Sequence, residues 1–132
     1  MTRVAAIFVL GALLASPAAA SGWMSCSDSG GLATIDYFVA DQAEFSVTAV
    51  TVTAGERVWA SDPANGPGDV ILVGEVYDNI AATFVDAIDE ALNEVAELKL
   101  FKATEGETTA YGGILRIVGV GAWPVACTPS EG

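Results

Sequence analysis

Seventeen aspartates and glutamates, two cysteines and no histidine bound the chemistry open to this chain. Without an imidazole, neither a Ser-His-Asp nor a Cys-His nucleophile can be assembled, and the usual His/Cys zinc site is out of reach. Acid–base work would rest on carboxylates, lysines or tyrosines. Glycoside hydrolysis needs two carboxyl groups facing each other across a substrate. With seventeen carboxylates to choose from, no spacing singles out a pair.

Two stretches resemble ligand sites. In "SDPANGPGD" (61–69), Asp62, Asn65 and Asp69 are oxygen donors in a glycine-rich turn and are the calcium candidates. The EF-hand pattern fails there, because Ala64 and Gly66 stand at its third and fifth positions. A solvated Pro/Gly turn with Asp and Asn capping local backbone is the simpler reading, so no metal site is assigned. Near the C-terminus, "GVGAWP" (119–124) begins a G-x-G-x-x-G pattern, but Pro124 replaces the third glycine. A dinucleotide turn must also open a helix, whereas "AWPVAC" is β-prone. No catalytic residue and no cofactor is assigned.

The acidic group Asp86, Asp89, Glu90, Glu94 and Glu97 reads as the wet face of an amphipathic segment. Trp23, Trp59 and Trp123, with Tyr37, Tyr77 and Tyr111, are the aromatics available for a ligand face. Core packing is the simpler role for Trp59 and Trp123, while Trp23 is expected to be exposed.

The elements that must position these residues begin after a leader. Arg3, an apolar run from Val4 to Ala15, and Ala18-Ala19-Ala20 have the layout of a cleaved secretory signal peptide over 1–20. The apolar run is shorter than the ~20 residues a membrane-spanning helix needs. Residues 21–132 then form one domain, and losing Arg3 takes the formal charge from −12 to −13. Such a charge repels phosphate backbones and anionic headgroups, so neither nucleic acid nor a membrane is an expected partner. The three asparagines at 65, 79 and 93 all fail the N-x-S/T pattern.

In an exported chain, Cys26 and Cys127 are expected to pair, stapling one end of the mature domain to the other. Trp123, Val125 and Cys127 share one strand parity, so the cysteine should face the core beside the tryptophan. Pro124 points the other way and calls for an edge position or a bulge.

Between these ends the chain breaks into short β-prone runs. In "FSVTAVTVT" (45–53) the apolar phase flips by one residue, which is the mark of a β-bulge. "AGE" (54–56) turns into "RVWA", making a hairpin. "VILVGEVY" (70–77) suits a central strand with Gly74 at a bulge. In the segment from 78 to 103, Phe84, Ile88, Leu92, Val95 and Leu98 recur at helical spacing. That pattern predicts a helix within about 86–96, between a strand leading in and another over Leu98 to Lys102. The fold class expected is mainly β: an antiparallel sandwich or small barrel of six to eight short strands with one helix, or alternatively α+β.

The function expected is that of a small acidic protein, secreted or periplasmic and of bacterial type. It would act as a binding or interaction module for a protein or glycan partner. A carboxylate-dependent hydrolase of envelope sugars or peptides is the alternative from another class, and an inhibitory or structural envelope component is a third.

Overall fold

A computed structural model describes residues 21–130. The leader expected over 1–20 lies outside the described residues. Ten strands follow one another: β1 (Gly22–Ser27), β2 (Ala33–Val39), β3 (Val47–Ala54), β4 (Arg57–Ala60), β5 (Asp69–Val70), β6 (Leu72–Asp78), β7 (Ala82–Ile88), β8 (Glu94–Glu105), β9 (Thr108–Ile117) and β10 (Gly121–Ser130). They form one sheet in the order β5-β4-β3-β2-β1-β10-β9-β8-β7-β6. Two meanders, β1–β4 and β6–β10, are thus joined where the first strand of the chain pairs with the last.

Only Ile71 separates β5 from β6, although these strands stand at opposite ends of the ladder. The sheet must therefore curl until its ends approach, and β3 packs against β6. The product is a nearly closed barrel, which removes most of the free edge an open sheet would carry. Ile71 is fully buried at the junction. The interior is filled on a period of two: Ala33, Ile35 and Tyr37 from β2, Val85 and Ala87 from β7, Ala96, Leu98 and Leu100 from β8, Leu115 and Ile117 from β9.

Cys26 and Cys127 are bonded to each other, directly opposite in the β1/β10 register with Cα atoms 4.0 Å apart. Both sulfurs are in the core, with Val125 buried and Trp123 packed against it. Gly119, at φ +75°, makes the turn into β10, and the Val120 N–H donates to Ile117 O at 3.0 Å. Pro124 pairs with Ile114 of β9, while β1 stops at the Ser27–Ala126 pair. The proline thus occupies a local edge within an interior strand, where its missing N–H costs nothing to the ladder.

The phase flip in 45–53 is a bulge in β3. Phe38 and Val39 of β2 face Ala49 and Val47, leaving Thr48 without a partner, so Val47 and Val50 both reach the core. The hairpin into β4 forms at Gly55 and Glu56, between the paired Ala54 and Arg57.

Three expectations are corrected. The ladder has ten strands where six to eight are expected, because the polar entry is itself a strand (β1) and the run 70–77 divides into β5 and β6 at Ile71. The strand after the loop 61–69 is terminal in the ladder, not central, and its apolar run serves mainly to carry Ile71 inward; the irregularity at Gly74 is present, between Val73 and Val76.

The third correction removes the helix over 86–96, and with it the α+β alternative: among the described residues there is no α-helix, only a 3-10 turn at Pro63–Asn65. Residues 82–88 and 94–105 pair as β7 and β8 around a turn at 89–93. The Asp89 carboxylate accepts from the N–H groups of Ala91 and Asn93, both at 2.9 Å. Alanine, leucine and glutamate favour helix, but cross-strand pairing overrides propensity. Ala87 and Ala96 are the inward residues flanking the turn, and their small side chains hid the two-residue period.

That turn yields a test. Leu92 has φ +67° and is 73% exposed, so it bears the steric cost of a left-handed backbone without a packing return. Leu92→Gly is expected to raise the unfolding free energy by about 0.5–1 kcal/mol in urea titrations. A loss of stability would show that the leucine packs on a neighbour in solution.

Candidate functional site: an acidic and aromatic face on strands 6 to 9

Because β7 and β8 are strands, alternate residues from 82 to 101 point outward together. Tyr77 of β6 pairs with Phe84 of β7, Phe84 with Lys99 of β8, and Lys99 with Ile114 of β9. One position pair along the ladder, Asp86 stands opposite Glu97, and Glu97 opposite Arg116. An aromatic and a charged row therefore lie side by side on the outer face.

The aromatic row is continuous. The Tyr77 and Phe84 rings stack at 5.8 Å between centroids, and Phe84 meets Phe101 edge-on at 6.2 Å. Tyr77 is 51% and Phe101 55% exposed, so this apolar surface is open to solvent. The Asn79 amide donates to the Tyr77 hydroxyl at 2.8 Å, and Lys102 meets Asp78 at 2.7 Å, tying β6 to β8.

In the charged row, ligand oxygens of Asp86, Glu94 and Glu97 lie within 4.8 Å of one another. Arg116 contacts Glu94 at 3.0 Å and Glu97 at 3.9 Å, and Lys99 contacts Glu97 at 3.6 Å. Partial burial, and then the charges of Glu94, Glu97 and Glu75, push the Asp86 carboxyl above the usual carboxylate range. Like charges facing across adjacent strands are destabilising. The two rows border a depression of about 420 Å³ lined by Glu75, Val76, Tyr77, Phe84, Asp86, Glu97 and Lys99.

A second test follows from Asp86. A carboxyl whose pKa is raised on folding makes the folded state bind more protons than the unfolded chain, so stability falls as pH rises from the unfolded value toward the raised one. Above that window the penalty is constant. Asp86→Asn is therefore expected to be more stable than the parent at neutral pH, with the advantage shrinking as the medium is acidified below the raised pKa. Melting temperatures measured across the acidic range check this; a constant offset at every pH would assign the effect to packing instead.

Asp86, Glu94 and Glu97 are the residues placed to hold a cation. Calcium takes six to eight oxygens, and here there are three carboxylates on an open face, two of which, Glu94 and Glu97, already pair with Arg116 and Lys99. The arrangement suits a cationic group carried by an organic partner, which can use the aromatic row as well. Tyr37 is no alternative base: burial, then the charges of Asp78 and Tyr111, push its hydroxyl far up.

The calcium candidates of the loop 61–69 have other duties. Asp62 accepts from the Ala64 N–H at 2.9 Å and caps the 3-10 turn, Asp69 meets Arg57 at 3.3 Å, and Asn65 borders a different cavity. Of the acidic group, Asp86, Glu94 and Glu97 converge, whereas Asp89 closes the turn. Trp59 is buried and Trp123 packs against the core, as expected; Trp23 is half-buried against Phe38. Phe84, Phe101 and Glu75 escaped sequence reasoning. Reading 82–88 and 94–101 on a two-residue period would have placed Phe84 with Asp86 and Glu97 with Phe101.

No protein-family model, curated protein or solved structure matches the chain.

Proposed function

We propose that this is an exported binding module whose outer face on β6–β9 takes a basic segment of a protein partner. One observation carries the reading: an exposed aromatic row beside four carboxylates, Glu75, Asp86, Glu94 and Glu97, with only Lys99 and Arg116 among the described residues to answer them. A lysine or arginine of the partner would relieve the repulsion around Asp86 while its stem or guanidinium lies on Tyr77 and Phe84. The net charge of −12 steers cationic partners toward the protein. Export is supported by the leader and by the disulfide, a bond at home in the periplasm or outside the cell.

The test is capture from an envelope extract with the mature domain, comparing the parent with Tyr77→Ala/Phe101→Ala. The expected result is one partner held at low salt, released as ionic strength rises, and lost by the variant. Identical capture by both proteins would defeat the assignment to this face. A second reading, a carboxylate-dependent hydrolase, draws on Asp86 and Glu97, which face each other across β7 and β8, with burial and neighbouring carboxylates raising the Asp86 carboxyl. It predicts sugar or peptide turnover by the purified domain that Asp86→Asn abolishes.

A further inference from the structure

A second cavity lies on the outer face of β1–β3 and has a different chemistry. Register places Ser25 of β1 opposite Asp36 of β2, and Asp36 opposite Thr51 of β3. In the adjoining row Ser130 of β10 faces Trp23, and Trp23 faces Phe38, whose ring it meets edge-on at 5.5 Å. The loop after β4 is pinned to β3 by two bonds, the Val50 N–H to Ser61 Oγ at 2.8 Å and the Ser61 N–H to Val50 O at 2.9 Å. It brings Asn65 to the rim. The space is an open depression of about 360 Å³, lined by Trp23, Ser25, Asp36, Thr51, Asn65 and Ser130.

Thr51 separates this cavity from an ordinary surface dip. It is 8% exposed, and its hydroxyl is enclosed with no hydrogen-bond partner among the described residues. Buried polar groups are almost always paired, and a hydroxyl left without a partner costs free energy. The other buried threonine, Thr83, follows the rule by donating to Asp78. Thr51 lines the cavity, and its covered hydroxyl gains a partner from a ligand seated there once the residues over it shift.

We propose that this cavity binds a neutral saccharide. Serine and threonine hydroxyls and the asparagine amide both donate and accept, Asp36 accepts, and sugar hydroxyls require that mixture. The Trp23 indole provides an apolar surface for the C–H face of a pyranose ring. One carboxylate among hydroxyls and an amide is too little charge to select a basic segment. The volume falls in the usual small-ligand range of about 300–1,000 Å³. The site is separate from the β6–β9 face, with no lining residue in common.

The experiment titrates the mature domain with maltotriose, cellotriose and triacetylchitotriose up to ~10 mM, a range that reaches millimolar dissociation constants. Tryptophan fluorescence and backbone amide shifts are followed. The expected result is a saturable response to at least one trisaccharide, with shifts at Ser25, Asp36 and Thr51. Thr51→Val should keep or raise the melting temperature and weaken that binding about tenfold. Asp36→Asn should weaken it as well, while Tyr77→Ala/Phe101→Ala leaves it unchanged. The inference is overturned if none of the three sugars gives a saturable response, which would leave water as the hydroxyl's partner. It is also overturned if Thr51→Val binds as the parent does, or if the shifts fall on Tyr77 and Phe84.

Discussion

Replacing both cysteines, Cys26→Ala/Cys127→Ala, is expected to lower the unfolding free energy by about 4–5 kcal/mol. The bond spans 101 positions, and closing so long a loop removes a large part of the unfolded chain's conformational freedom. Small domains hold only about 5–15 kcal/mol in all, so the variant should sit near the margin of folding at 37 °C. Position adds to the arithmetic. The bond lies in the β1/β10 pairing, the seam that joins the two meanders into one ladder. A break there leaves the Trp23–Ser130 to Ser27–Ala126 pairs to hold the ends together by ladder hydrogen bonds and the packing of Met24, Trp123 and Val125. Urea unfolding of the double variant beside the oxidised parent is the measurement. A loss below about 2 kcal/mol would mean that the reduced chain already keeps its ends close when unfolded. Ser130 and Trp23 belong to strands on this seam, so the proposed sugar site should weaken in the reduced protein.

Gly113→Ala is expected to cost about 3 kcal/mol or more, a large effect from a single methyl group. Gly113 faces inward on β9 opposite Leu100, where β8 and β9 approach closely. A Cβ there would fall 1.9 Å from the Lys99 carbonyl oxygen, 2.8 Å from its carbon and 2.9 Å from the Leu100 Cα. All three are backbone atoms of the neighbouring strand and cannot step aside as a side chain would. The ladder itself must shift, and with it Lys99 and Phe101, which flank the aromatic row. Gly112→Ala is the control: its nearest contact would be the Val125 carbonyl oxygen at 3.9 Å, an ordinary separation. Thermal unfolding of the two variants should therefore differ sharply although the residues are neighbours. Equal stabilities would mean that the close approach at Gly113 relaxes at little cost.

The two variants separate what could be read without a structure from what could not. The disulfide follows from two cysteines, an export leader and the strand parity of Trp123, Val125 and Cys127. The bulge in β3 follows from an apolar phase that shifts by one between Ala49 and Val50, and the hairpin from Gly55 and Glu56. Trp59 as a core residue follows from its type. The requirement at Gly113 has no local signature, because a glycine in "YGGIL" looks like any other until the neighbouring strand is laid against it.

The segment 86–96 is the instructive failure. Its alanines, leucines and glutamates satisfy a helical spacing and a strand spacing at once, and local propensity favours the helix. What decides is the partner: Val85, Ala87, Ala96, Leu98 and Leu100 are buried only when the segment is folded back as a hairpin between β6 and β9. The candidate face shares that dependence. Asp86, Glu97 and Arg116 lie far apart along the chain and meet because register aligns them across three strands.

By itself, the amino-acid sequence determined the β character of the chain, the pairing of its two cysteines, its acidity and the absence of imidazole chemistry, since each depends on residue type or on near neighbours. Tertiary structure alone decided the closure through Ile71, which carboxylates converge, which aromatics are exposed, and that Thr51 is buried without a partner. These depend on strand register, and a shift of one residue would turn every one of those side chains to the other face.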